Sequence, residues 1–71
     1  MFNLFGEAYT VVQVVNNKTV ATRTYHSFED AKQAAYKAMA KRGLRITKSY
    51  NNYKSASYVC HDNTEFHISQ Y

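Results

Sequence analysis

The sequence predicts an α+β domain: an antiparallel sheet of about five strands, in the order β-β-α-β-β-β, with one helix packed on one face. Three observations carry that expectation. Two β-branched and aromatic runs flank the pair Asn16-Asn17. One segment, residues 28–42, repeats its apolar side chains at helical spacing. Three shorter runs follow, separated by pairs of turn-forming residues. Proline is absent and glycine occurs only at Gly6 and Gly43, so regular elements joined by short turns should fill the chain. Seventy-one residues allow a single domain, 1–71, with one small core. A chain of this size buries only about 60% of its unfolded surface, which argues against a deep preorganised pocket.

Residues 8–15, AYTVVQVV, have the composition of a strand. Asn16 and Asn17 tolerate the left-handed backbone of a tight turn, and residues 18–26, KTVATRTYH, complete a hairpin. Val12 and Val14 share one face of it, and Val11 and Val15 the other. Ser27 then caps a helix, FEDAKQAAYKAMAKR, whose Glu29 and Asp30 suit the positive end of the helix dipole. Phe28, Ala31, Ala35, Ala38, Met39 and Arg42 line one side of that helix, and its alanines permit close approach to a sheet. Gly43 is placed to end it.

Residues 44–50, LRITKSY, alternate, with Leu44, Ile46, Lys48 and Tyr50 expected on one face. Asn51-Asn52 is expected to turn the chain. Residues 54–61, KSASYVCH, and 64–70, TEFHISQ, flank Asp62-Asn63. A two-residue loop there would set Val59 opposite Phe66 and Tyr58 opposite His67, with Val59, Phe66 and Ile68 in the core. One helix covers one sheet face, so the other meets water or a partner, unless Phe2, Leu4 and Phe5 fold back over part of it or the sheet curls on itself.

The net charge is +4, and its distribution is uneven. No Asp or Glu occurs between Ala31 and His61, an interval that holds Lys32, Lys37, Lys41, Arg42, Arg45, Lys48 and Lys54. Such a field attracts polyanions or an acidic protein surface. Cys60 is the only cysteine, so no internal disulfide forms and a reducing compartment is expected. The N-terminus MFNLFGEAYTVV lacks the basic start and apolar run of a signal peptide. No apolar run approaches the roughly 20 residues that span a bilayer. The expectation is a soluble cytoplasmic protein with no membrane partner.

No catalytic constellation emerges. Glu29 and Asp30 sit where a helix is capped. Cys60 and His61 are adjacent on a strand and would point to opposite faces, while zinc needs at least three well-placed ligands. No glycine-rich phosphate loop is present. The expectation is a non-enzyme without metal or cofactor.

The stretch YNNYKSASY, residues 50–58, is too polar for a core and too aromatic for an ordinary loop. Tyr, Ser and Asn are the residues that binding loops favour. A protein-binding surface would draw on Tyr36, Tyr50, Asn51, Asn52, Tyr53, Lys54 and Tyr58, steered by Lys37, Lys41, Arg42, Arg45 and Lys48. The alternative is direct nucleic-acid binding, with bases stacked on the tyrosines and phosphates met by the same cations, Arg23 and Lys18 adding contacts from the hairpin. Cross-strand packing is the structural use that competes for the tyrosines. Either reading suits a monomer or a weak homodimer.

The arrangement EAYTVVQVVNNKTVATRTYHSFEDAKQAAYKAMAKRG, a hairpin feeding a capped helix and then a basic strand meander, resembles the small single-domain proteins that phages use against bacterial defences. Some anti-CRISPR proteins have such a five-stranded sheet with one helix. The resemblance implies an inhibitor that docks on a CRISPR surveillance complex and blocks the path of target DNA. Many such inhibitors are acidic DNA mimics and this chain is basic, so docking beside a nucleic-acid channel or on an acidic subunit fits better than mimicry. The portion TRTYHSFEDAKQAAYKAM is also similar to plant-type AP2 domains and integrase arm-binding domains, which read DNA with a sheet. The dense Arg/Trp decoration of those strands is missing here; Arg23 is the hairpin's one arginine.

Overall fold

The computed structural model describes residues 8–70. Its elements are β1 (Tyr9–Val15), β2 (Lys18–Tyr25), α1 (Phe28–Lys41), β3 (Ile46–Asn52), β4 (Ser55–Cys60) and β5 (Glu65–Gln70). The strands form one antiparallel sheet in the order β2-β1-β5-β4-β3, with α1 on one face. This is the α+β layout that the sequence predicts. The last strand inserts between the first hairpin and the second, which leaves β2 and β3 as the two edges.

Local chemistry sets the first half. Asn16 and Asn17 have φ of 52° and 66°, the left-handed pair that a two-residue hairpin turn requires. Past the turn the register slips: Val14 pairs with Thr19 but Gln13 with Ala21, so Val20 bulges out and is exposed. Ser27 Oγ accepts the Asp30 N–H at 3.0 Å and starts α1. At the far end Gly43 adopts φ 68°, its N–H donates to the Ala40 carbonyl, and the Leu44 N–H donates to the Met39 carbonyl at 2.9 Å. That reversal lays Leu44 against the core.

Ala31, Ala35 and Met39 press onto Tyr9 and Val11 of β1, Ala56, Tyr58 and Cys60 of β4, and Phe66 and Ile68 of β5. Phe28 packs against Tyr9 where the helix begins, the ring centres 5.4 Å apart and the planes tilted by 37°. The small helix residues keep the two layers close enough for the larger sheet residues to fill the gap.

The second half departs from the expected register in three places. First, the β4–β5 loop has three residues, His61 to Asn63, closed by the Cys60 N–H on the Thr64 carbonyl at 2.8 Å, with Asn63 at φ 72°. The extra residue inverts the parity. Tyr58 therefore pairs with Phe66 and faces the core, while Val59 pairs with Glu65 on the open face, the reverse of the expectation. Second, Asn51 and Asn52 belong to β3, and the turn falls on Tyr53-Lys54, because Asn52 pairs with Ser55. Third, a bulge at Thr47, whose hydroxyl donates to the Val59 carbonyl at 3.1 Å, splits the expected row of Leu44, Ile46, Lys48 and Tyr50. Ile46 stays on the helix side with Leu44, and Lys48 and Tyr50 move to the open side. Phe2, Leu4 and Phe5, proposed to cover the open face, and the start of the segment read for a leader lie outside the described residues.

Candidate functional site

The sheet face away from α1 is built of rows set by the registers. One row runs Thr24, Thr10, Ser69, Ser55 and Asn52; the next runs Thr22, Val12, His67, Ser57 and Tyr50; a third holds Val14, Glu65, Val59 and Lys48. Hydroxyl groups dominate it, with half-buried valines between them.

The sequence reading missed one constellation on this face. His67 Nε2 lies 2.8 Å from Glu65 Oε1, and His67 Nδ1 lies 3.1 Å from Ser57 Oγ. In the neutral ring with the proton on Nε2, the ring donates from Nε2 to the carboxylate and accepts the serine O–H at Nδ1. The order is that of a nucleophile, base and orienting acid. Reaction at an acyl group also requires unpaired donors aimed at the developing oxyanion. Here the serine lies on a strand hydrogen-bonded on both sides, so the neighbouring amides are held in the ladders. The clefts beside α1 are lined by other side chains. The geometry serves as a cross-strand clasp between β4 and β5. It is visible in sequence only once the β4–β5 loop is given three residues, which places Ser57 opposite His67.

Of the proposed contact residues, Tyr58 is withdrawn by its burial. It is 1% exposed, and its ring lies 5.3 Å from that of Tyr36, the two hydroxyls sharing a 3.2 Å hydrogen bond. Burial, and then the bond to Tyr36, hold its phenol well above the ordinary range. Tyr58 supports Tyr36 from beneath and cannot touch a partner.

The others fall into three groups. Lys48, Tyr50 and Asn52 project from the open side of β3, Asn51 projects from its helix side, and Tyr53 and Lys54 form the following turn, with the Lys54 Nζ 5.3 Å from the Tyr53 ring centre. Lys41, Arg42 and Arg45 gather where α1 ends and β3 begins, while Lys37 points toward β2, beside Tyr25 and Gln33. Arg23 stands apart. It lies on the opposite edge, at a cleft of about 110 Å³ whose helix wall is Ala34, Ala35 and Ala38.

Every residue of β3 is exposed, so this strand is covered on neither face. Five large apolar side chains are exposed among the described residues; Tyr36, Ile46, Tyr50 and Tyr53 are in or beside β3, and only Val20 is elsewhere. Ile46 was not among the expected contacts, because its alternation with polar neighbours reads as a core position, whereas on the edge strand it stays exposed beside Tyr36. Among the described residues, Arg45, Lys48, Lys41 and Arg42 form no ion pair.

Cys60 and His61 do not combine. The thiol is buried under α1, and burial pushes its pKa up, while His61 Nδ1 accepts the Arg45 backbone N–H at 3.1 Å. No group of three or more His, Cys, Asp or Glu side chains is arranged to hold a metal among the described residues. No helix of the described residues is long and apolar enough to cross a membrane. Comparison with family models, curated proteins and solved structures finds nothing that matches this chain.

Proposed function

We propose that this chain is a non-enzymatic binding module that docks on a nucleic-acid-handling protein complex and blocks its action. It would belong to the kind of small phage inhibitor that its layout resembles, with a CRISPR surveillance complex as one such target. The observation that carries the reading is the concentration of exposed aromatic and aliphatic side chains along β3: Tyr53 at 87%, Tyr50 at 63%, Tyr36 at 46% and Ile46 at 40%. Folding leaves these side chains in water, where a partner would recover their apolar area. The unpaired Arg45 and Lys48 beside them would draw the module toward an acidic surface and raise the rate of encounter. A lone buried thiol suits a reducing compartment, so the host cytoplasm is the proposed location.

The test is capture of nucleic-acid-handling complexes on the immobilised protein, followed by an assay of whether the captured complex still engages its target. Tyr53→Ala with Lys54→Ala should weaken capture by about tenfold or more, since buried aromatic anchors carry most interface energy. Tyr53 is exposed and Lys54 half-buried in the turn, so the melting temperature of the double variant is measured beside capture and should stay within a few degrees of the parent's. A double variant that keeps its fold and captures as well as the parent would sink the assignment. Anisotropy with labelled DNA and RNA separates the alternative: tight binding that falls steeply with salt would identify a direct nucleic-acid binder.

A further inference from the structure

The edge of β3 offers more than side chains. The Cys60 N–H points to β5, where it meets the Thr64 carbonyl, and the next N–H, of His61, points to β3, where it meets Arg45. Backbone groups alternate along a strand, so Val59, Ser57 and Ser55 present theirs to β3. Their partners Lys48, Tyr50 and Asn52 turn inward to meet them. The N–H and C=O of Ser49 and Asn51 are left pointing out of the sheet, on an edge that no described element covers. The bulge at Thr47 takes the first residues of β3 out of regular pairing, so Lys48–Asn52 is the stretch able to accept another strand.

The surroundings of that edge are selective. On the helix side a shallow groove is lined by Tyr36, Met39, Ala40, Leu44, Ile46 and Arg45. Ser49 and Asn51, on the same side, are too short to close it. On the open side stand Lys48 and Tyr50. No acidic residue occurs between Ala31 and His61, so the chain itself offers the cations here no partner from this interval. The other edge, β2, has one exposed large apolar side chain, Val20, on its bulge.

We infer that β3 is a strand-addition site for an extended, acidic segment of a partner protein. The segment pairs its backbone with Ser49 and Asn51. Its side chains on one face are aliphatic and enter the groove beside Tyr36 and Ile46. Those on the other face are carboxylates that meet Lys48, with Arg45 holding an acidic residue at the segment's end. Backbone pairing gives affinity and the alternation gives selectivity. This rests on the reading of β3 as the contact surface, and specifies how the contact is made.

Proline separates the two ideas. At an edge position whose N–H faces out, proline is tolerated by the fold but blocks an added strand. Asn51→Pro should therefore keep the parent melting temperature. It should weaken binding of a peptide of alternating glutamate and valine by about tenfold or more, through the lost hydrogen bond and the clash of the ring. Amide exchange should show Ser49 and Asn51 protected in the parent on adding that peptide. A peptide of alternating lysine and valine should not bind. Should Asn51→Pro unfold the protein, N-methylation of the peptide removes the reciprocal bonds, those its N–H groups donate to the Ser49 and Asn51 carbonyls, and must abolish binding. If Asn51→Pro binds normally while Tyr53→Ala with Lys54→Ala does not, strand addition is wrong and the contact surface stands. A dimer in solution that Asn51→Pro converts to monomer would overturn the acidic partner in favour of a second copy.

Discussion

Asp62 shows how one side chain can fix a register. It sits in the β4–β5 loop and accepts the Thr64 N–H at 2.9 Å. That bond stabilises the ionised carboxyl and lowers its pKa from the ordinary carboxylate value. A depressed folded-state pKa means a contribution that is complete above the ordinary value, about 4, and is lost as the pH falls through the lower folded value. Protection of the Thr64 amide from exchange should therefore hold at neutral pH and fall away in acid below about pH 4. Asp62→Asn keeps an oxygen acceptor without a titrating proton, so it should remove the acid dependence while preserving protection at neutral pH. If Asp62→Asn loses the amide as steeply in acid as the parent, another group governs the loop. The loop matters because its length decides that Tyr58, and not Val59, enters the core.

At the scale of elements, what could be read from the sequence was whatever is specified within a few neighbouring residues. Asn16-Asn17 specifies its turn, Ser27 its cap and Gly43 its reversal, so the first hairpin and α1 stand where they were expected. These caps should be separable from packing. Ser27→Ala should cost about 1 kcal/mol by orphaning the Asp30 N–H. Gly43→Ala should cost about 1 kcal/mol through the left-handed backbone alone, since a Cβ there meets no atom within 4 Å. Denaturant unfolding with unchanged slopes would check both. A Gly43→Ala cost near zero would mean that the end of α1 relaxes freely. The second half was less legible because a strand's parity depends on counts rather than residue types. One residue more in the His61–Asn63 loop exchanged Tyr58 with Val59, and one bulged residue at Thr47 parted Ile46 from Lys48. The proposed contact surface was half legible for the same reason. The Tyr50–Lys54 stretch was visible as composition, whereas Tyr58's burial and the Ser57–His67–Glu65 clasp follow from parity, and Ile46's exposure from the place of β3 at the sheet edge.

For the whole molecule, the decisive asymmetry is between its two edges. At the β3 edge the chain combines the unpaired Arg45 and Lys48, exposed rings and free backbone groups. The terms act at different distances. Charge acts over about 8–10 Å at physiological ionic strength, so it governs approach and orientation. Ring burial and backbone pairing act only at contact, so they govern how long the complex lasts. The expected consequence is a division of kinetic effects. Arg45→Glu with Lys48→Glu should slow association with the captured partner several-fold, and flatten its salt dependence, with a smaller change in dissociation. Tyr50→Ala should do the opposite, raising the dissociation rate and leaving association within about twofold. Surface plasmon resonance at two salt concentrations reads both. Charge reversal that acts wholly on dissociation would place the two cations inside a desolvated contact, where an ion pair is held at close range. Charge reversal at Lys18 and Arg23, on the β2 edge, should leave both rates close to the parent's. A loss there as large as at β3 would mean that the partner reads the net positive field of the protein, and that neither edge is singled out.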